Sequence, residues 1–371
     1  QKPVEYDKAA ELDERVKKLS DEELAYLGIG GFDPNAKGFS IIGNAASHVM
    51  GAAGETTSVL ESKGIKPLIM ADGPAGIRVS KAFYRDDKGL HDASETGSIP
   101  ESMLDCMSPL VRFLALKVAG PKKPPKNAKV EEQIATMIPI GTAIAQSFNI
   151  KLAKEFGSLV GDEMERIGIN LWLAPALNIH RSILCGRNFE YYSEDPLVSG
   201  LTAAAITEGV QSHKGCAVTI KHYAANNAET NRYCNNSQVS ERAMREIYLR
   251  GFGICVRKSN PRAVMTSYNL LNGTHTSEHR GLIEDILRSE YGFSGIVMTD
   301  WVIAMMTSSK SVYRNALPPE VAMAGGDLFM PGGKTDYNLL MDAVKSGRVT
   351  RAQLEVNASR VVRMIDELGS K

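Results

Sequence analysis

The sequence predicts an α/β fold, a (β/α)8 TIM-type barrel of parallel strands with an N-terminal segment and one long insertion. Three observations predict it. Short apolar runs alternate with amphipathic helical stretches from residue 67 to the C-terminal region. Such alternation implies parallel strands joined by crossover helices. Each run also ends directly in polar or aromatic residues, and barrel enzymes build their sites at the C-terminal ends of the strands. An open doubly wound sheet satisfies the alternation equally well. The polar strand ends favour the barrel.

Taken in order, residues 5–27 read as a helix, with Leu12, Val16, Leu19, Leu24 and Leu27 on a loose stripe that Gly28-Ile-Gly-Gly31 ends. Residues 32–66 lack a period and read as loops, so residues 1–66 form a segment packed on the barrel of residues 67–371. Pro67–Ala71 is a first strand, ending in Asp72-Gly73-Pro74. Residues 80–135 break the rhythm with Arg85-Asp-Asp-Lys88 and Gly120-Pro-Lys-Lys-Pro-Pro-Lys126, which marks the insertion. Leu152, Phe156, Leu159, Val160, Met164 and Ile167 recur at helical spacing. Strands follow at Leu171–Leu177, Ala217–Ile220, Ala263–Met265 and Gly295–Met298, and a sixth candidate at Asp327–Met330. Leu282, Ile283, Ile286 and Leu287 mark another helix. The last helix opens with a capping box, Thr350 to Gln353, and carries Leu354, Val361, Val362, Ile365 and Leu368.

With 43 Lys+Arg against 43 Asp+Glu and a pI near 7.2, the chain lacks the basic surplus a nucleic-acid binder needs. It has no apolar run long enough to span a bilayer. The N-terminus shows neither an apolar leader nor an initiator Met, so the expectation is a cytoplasmic protein or a piece of a longer one. Cys106, Cys185, Cys216, Cys234 and Cys255 are scattered, which fits reduced thiols rather than a disulfide framework. The N-x-Ser/Thr triplets at Asn235, Asn272 and Asn357 are read as chance.

Several signatures fail. Gly28-Ile-Gly30 meets Asp33 where a dinucleotide fingerprint needs its third glycine, and Gly333-Lys334-Thr335 lacks the earlier glycine of a P-loop. His-Glu-x-x-His and Gly-x-Ser-x-Gly are absent. Of seven histidines only His180 and His222 follow a strand, so no metal or cofactor is expected. What remains is a set of carboxylates, bases and aromatics at strand ends. Asp300 follows Gly295-Ile-Val-Met-Thr299 and precedes Trp301, a ring on which a sugar can stack. Lys221-His222 and Asp72-Gly-Pro, taken singly, are ordinary strand ends and turns. On successive strands they form a constellation.

That constellation resembles glycoside hydrolase family 3, in its β-glucosidase-like branch. The resemblance is carried by Ala71-Asp-Gly-Pro-Ala-Gly-Ile-Arg78, Gly186-Arg-Asn-Phe-Glu-Tyr-Tyr-Ser-Glu-Asp-Pro196 and Lys221-His-Tyr-Ala-Ala-Asn226. It continues in Val264-Met-Thr-Ser-Tyr-Asn269, Asn272-Gly273 and Val297-Met-Thr-Asp-Trp301. It implies a barrel, often irregular in this family, that cleaves β-glycosides with retention. By position it implies Asp300 as nucleophile. It also implies Asp72, Arg78, Arg187, Lys221 and His222 as groups that grip the hydroxyls of the nonreducing-end sugar, and Met265, Tyr268 and Trp301 as walls of the pocket. Arg and Lys near Asp300 are expected to keep it ionised.

The acid/base residue has no counterpart. The stretch Lys221-His-Tyr-Ala-Ala-Asn-Asn-Ala-Glu-Thr230 resembles family members that take an acid Glu from a separate α/β sandwich domain. Asn44-Ala-Ala-Ser-His48 and Gly51-Ala-Ala-Gly-Glu-Thr56 resemble the branch with reversed domain order, which puts that domain upstream of Gln1. Three readings follow: the nucleophile-bearing half of a β-glucosidase, with β-xylosidase-type specificity as a variant; a sugar-binding barrel without turnover; and a barrel hydrolase of unrelated chemistry. The Asp300-Trp301 pair favours the first.

Overall fold

The computed structural model describes residues 12–35, 43–94, 108–119, 123–303 and 312–369. Residues 5–11 of the expected first helix, Cys106 and parts of the 80–135 insertion lie outside these. The central sheet has six strands: β1 (Gly54–Glu55), β2 (Ile69–Ala71), β3 (Leu171–Trp172), β4 (Ala217–Tyr223), β5 (Ala263–Thr266) and β6 (Ile296–Met298), hydrogen-bonded in that order. β2 to β6 run parallel, in registers such as Met70↔Leu171, Trp172↔Val218, Ile220↔Val264 and Met298↔Met265. β1 is antiparallel to β2, so the sheet is mixed.

Every main-sheet residue from β2 to β6 is buried, because both faces are covered. Ile69, Ala71, Trp172, Val218, Ile220, Val264 and Val297 join one apolar cluster, beneath helices Ile150–Ile167, Pro196–Gln211 and Arg250–Ser259. Met70, Leu171, Ala217, Ala263, Met265, Ile296 and Met298 point the other way. They join a second cluster with helices Asp21–Gly28, Lys334–Lys345 and Arg351–Gly369. The two-residue period of a strand thus divides one continuous apolar run between two cores.

A regular barrel of eight strand–helix units is not what these residues form. Among the described residues, pairing beyond β6 continues as parallel bridges, Met298↔Leu328 and Ile29↔Phe329, with backbone bonds such as Thr299 N–H to the Leu328 carbonyl and Gly30 N–H to the Phe329 carbonyl. The Gly31 N–H then donates to the Thr56 carbonyl beside β1. The strand expected over 171–177 is regular only at Leu171–Trp172, because Pro175 has no N–H to give the ladder. Its continuation is a bridge, Ala176↔Lys221. The helix expected over 5–27 is two within the described residues, Glu14–Lys17 and Asp21–Gly28. Ser20 separates them as the cap of the second, its side chain accepting from Glu23 N–H while Glu23 reaches back to Ser20 N–H. The insertion is not all loop. Ala82–Asp86 pairs antiparallel with both Gly89–Asp92 and Val130–Glu132. The capping box at Thr350 and Gln353 forms as expected.

Where the bridges replace strands, buried charge ties the elements together. Asp327 accepts from the Val297 N–H at 2.7 Å, and from Arg288 at 2.6 Å and Arg360 at 3.2 Å. Glu284 lies 3.4 Å from Arg288 and 3.3 Å from Arg360. Removing one partner of such a cluster strands the others away from water, which costs about 3–5 kcal/mol. Asp327→Ala is therefore expected to lower the unfolding free energy from urea titration by that amount, as a fall in midpoint with little change in slope; a loss below about 1 kcal/mol would mean that water enters the cluster freely.

Candidate functional site

The sequence-predicted groups meet at the C-terminal end of the sheet. Asp72 directly follows β2, in a hairpin closed by Arg78 N–H donating to the Asp72 carbonyl at 2.8 Å. Gly76 allows that turn, since with φ +119° a Cβ there would lie 2.2 Å from the Thr136 carbonyl oxygen. Lys221, inside β4, places Nζ 2.8 Å from Asp72 Oδ1, and Arg78 places Nη2 2.7 Å from Oδ2. Burial pushes the Asp72 carboxyl upward, but Lys221 and then Arg78 outweigh it and hold it at about 2. Lys221 is buried, whereas Arg78 is largely exposed at the mouth.

Asp300 follows Thr299 at the end of β6 and is buried. Its Oδ1 accepts from the Trp301 N–H at 2.7 Å, while Oδ2 is buried without a hydrogen-bond partner. His222 Nε2 stands 3.7 Å from that free oxygen. The cations expected to favour its ionised form do act on Asp300, against its burial. Burial is the strongest influence and leaves its pKa above the ordinary carboxylate value, with Arg187, Lys221, the Trp301 N–H and Tyr268 pulling it down. His222 is driven well below its usual range, first by burial and then by Arg187, Lys221 and Arg232, so its ring is neutral. Arg187, on the loop after β3, pairs with the buried Glu190.

The aromatic walls assemble as a unit. The Tyr268 hydroxyl donates to the Trp301 carbonyl at 2.9 Å, and Trp301 Nε1 donates to the Ala53 carbonyl at 3.0 Å. Gly54 lets the indole approach β1, because a Cβ there would come within 3.0 Å of the ring. Met265 is buried in register with Met298, in the same apolar cluster as Tyr268 and Trp301. It backs the aromatic wall.

The loop after β4 brings further residues that sequence reasoning missed. Arg232 stacks over Tyr268 at 4.6 Å and Tyr233 at 4.9 Å, and pairs with Glu229 at 2.8 Å. Asn226 and Tyr191 connect this group to His222. The three-residue spacing of Asn226, Glu229 and Arg232 was a visible signal, but nothing local ties it to His222. Among the described residues no cluster of His, Cys, Asp or Glu is arranged to hold a metal ion. Nor is any described helix long and apolar enough to cross a membrane. Cys185, Cys234 and Cys255 are free thiols.

Residues 128–364 match the family model described as the glycosyl hydrolase family 3 N terminal domain. The chain is 41% identical over 238 residues to beta-glucosidase B of Emericella nidulans, a stretch that is 63% of this chain and 26% of that protein. It is 33% identical over 352 residues to an exo-alpha-(1->6)-L-arabinopyranosidase of Bifidobacterium longum, covering 95% of this chain and 37% of the other. Among solved structures, beta-glucosidase 3B from Thermotoga neapolitana in complex with alpha-D-glucose superposes with a TM-score of 0.75 at 35% identity. That match covers 95% of this chain and 42% of the other. The chain thus spans less than half the length of these relatives. Together with the strand-end carboxylate, the paired Lys221 and Asp72 and the α/β sheet that positions them, these matches place the chain in glycosyl hydrolase family 3.

Proposed function

We propose that this chain carries the nucleophile of a retaining β-glucosidase-type enzyme whose proton donor lies outside residues 1–371. The observation that supports this most directly is Asp300, with one oxygen fixed by the Trp301 N–H and the other unpaired and facing the site. In this reading Oδ2 attacks the anomeric carbon and forms a glycosyl ester as the leaving group departs with a proton from the donor. Water, deprotonated by the same donor, then releases the sugar and frees Asp300. Asp72, Arg78, Arg187, Lys221 and His222 hold the sugar hydroxyls, while Trp301 and Tyr268, backed by Met265, stack against the ring.

The neighbouring carboxylates are poorly suited to be the acid. Asp72 is held ionised by Lys221 and Arg78, and Glu190 and Glu229 are tied into ion pairs with Arg187 and Arg232. On the loop that carries Arg187, Ile183 and Leu184 are almost fully exposed, an apolar rim that a second domain can cover. The sequence reading puts that domain upstream of Gln1, as an α/β sandwich. The arabinopyranosidase relative supports a second specificity, for a pentopyranoside lacking the hydroxymethyl group.

Three expected outcomes test this reading. In the full-length parent, Asp300→Ala lowers glycoside turnover by several powers of ten, and azide partly rescues Asp300→Gly with formation of the α-glycosyl azide; an active Ala variant overturns the assignment. Asp72→Asn shifts the kcat/KM ratio of β-glucoside to β-xyloside by roughly tenfold to hundredfold if Asp72 reaches the outer hydroxyls, whereas equal losses leave it a turn residue. The 371-residue chain alone releases dinitrophenolate slowly and leaves cellobiose essentially uncut, the gap reflecting the ~10²–10⁴-fold supplied by a general acid. Because Asp300 must be ionised to attack and burial raises its pKa, that slow release falls away with acid at a pH above 3.8. Efficient cellobiose cleavage by the chain alone would place the acid within it.

A further inference from the structure

One buried chain of hydrogen bonds behind the site has a direction that its proton count determines. Glu229 Oε2 is paired with Arg232 at 2.8 Å, and Oε1 faces Asn226 Nδ2 at 3.0 Å. A carboxylate in an ion pair only accepts, so the Asn226 amide must present its nitrogen there. Its second N–H points to the Tyr191 hydroxyl at 3.0 Å, and Asn226 Oδ1 is left without a partner. Tyr191 therefore accepts on this side. Among the described residues its single proton has one acceptor, His222 Nδ1, at 3.3 Å. The opposite arrangement, with His222 Nδ1–H donating, would leave the buried Tyr191 proton without an acceptor. Burial keeps Tyr191 protonated and His222 neutral. A neutral imidazole that accepts at Nδ1 carries its hydrogen on Nε2, and Nε2 is the nitrogen 3.7 Å from the unpaired oxygen of Asp300.

We propose that Tyr191 is a positioning residue that, with Asn226 and Glu229, holds His222 in the Nε2–H tautomer and so aims an N–H at the free oxygen of Asp300. The tautomer assignment stands on the hydrogen bonds alone; its consequence for turnover rests on Asp300 being the nucleophile. An N–H facing Oδ2 favours the carboxylate, whereas the other tautomer would set a lone pair against it. The remaining groups bearing on Asp300 are Arg187, Lys221, Tyr268 and the Trp301 N–H, and those bearing on His222 are Arg187, Lys221 and Arg232. Asp300, 3.7 Å from Nε2, favours a hydrogen on the same nitrogen, and Tyr191 adds the direct contact with Nδ1.

The test is a long-range proton–nitrogen correlation spectrum of the 371-residue chain with 15N-histidine, the His222 signals being assigned from their loss in His222→Gln. The wild type should show the Nε2–H pattern near pH 7. Tyr191→Phe should lower the Nε2–H share, which then rests on Asp300 alone. Asn226→Asp replaces a donor by an acceptor, so Tyr191 turns its proton toward residue 226 and His222 should change to the Nδ1–H pattern. In the full-length parent, Tyr191→Phe should move the acid limb of kcat/KM for a dinitrophenyl glucoside to higher pH, with roughly a threefold to tenfold loss on that limb and little loss on the plateau. An Nδ1–H pattern in the wild type, or an Nε2–H pattern unchanged in both folded variants, overturns the proposal even if Asp300→Ala is inactive. If the spectra behave as expected while Asp300→Ala stays active, the tautomer assignment stands and the nucleophile reading falls.

Discussion

A carboxylate buried with one oxygen unpaired is costly to hold, and the architecture around Asp300 follows from carrying it. Burial raises its pKa, so the surroundings must return enough favourable charge to leave it usable. Arg187 and Lys221 supply that charge from two different elements, the loop after β3 and the body of β4. The Trp301 N–H supplies a fixed dipole from the next residue. Each donor reaches Asp300 only because the strands are held in register, which makes the parallel sheet a device for aiming cations as much as a core.

The same constraint explains why the other acidic groups in the site are paired. Lys221 serves Asp72 directly at 2.8 Å, and Arg187 serves Glu190. If either cation lost its own partner, it would be free to move onto Asp300 and close the oxygen that faces the site. The pairs therefore fix the cations at a distance where they lower the cost of the carboxylate without hydrogen-bonding to it. Arg232 is restrained likewise, between Glu229 and the faces of Tyr233 and Tyr268.

What could be read from the sequence was whatever is local along a strand or an amphipathic helix. Asp72, Lys221, His222 and Asp300 stood out because each ends or closes an apolar run, and all four lie together in the structure. Helix Pro196–Gln211 could not be read in the same way, being buried between Ile150–Ile167 and Arg250–Ser259 and therefore lacking a polar face that would mark its period. The strand order is irregular at Pro175 and at 328–330, where pairing is by short parallel bridges that apolar periodicity does not register. Tyr191, Asn226 and Glu229 were missed for another reason. Their part depends on which hydrogen-bonding group faces which, across segments far apart in sequence.

The strands locate the charges, but the loops decide where the protons sit. His222 is anchored on its backbone by Asn178, whose side chain accepts from the His222 N–H at 2.8 Å and donates to its carbonyl at 2.9 Å. That pair fixes the position of the residue and says nothing about which ring nitrogen bears hydrogen. Tyr191 supplies the missing specification from a loop, and Glu229 supplies it to Tyr191 through Asn226. Since Glu229 is in turn held by Arg232, which stacks on Tyr268, the aromatic wall and the histidine tautomer are two ends of one connected structure. A change at either end therefore reaches Asp300 by two routes, through Tyr268 and through His222.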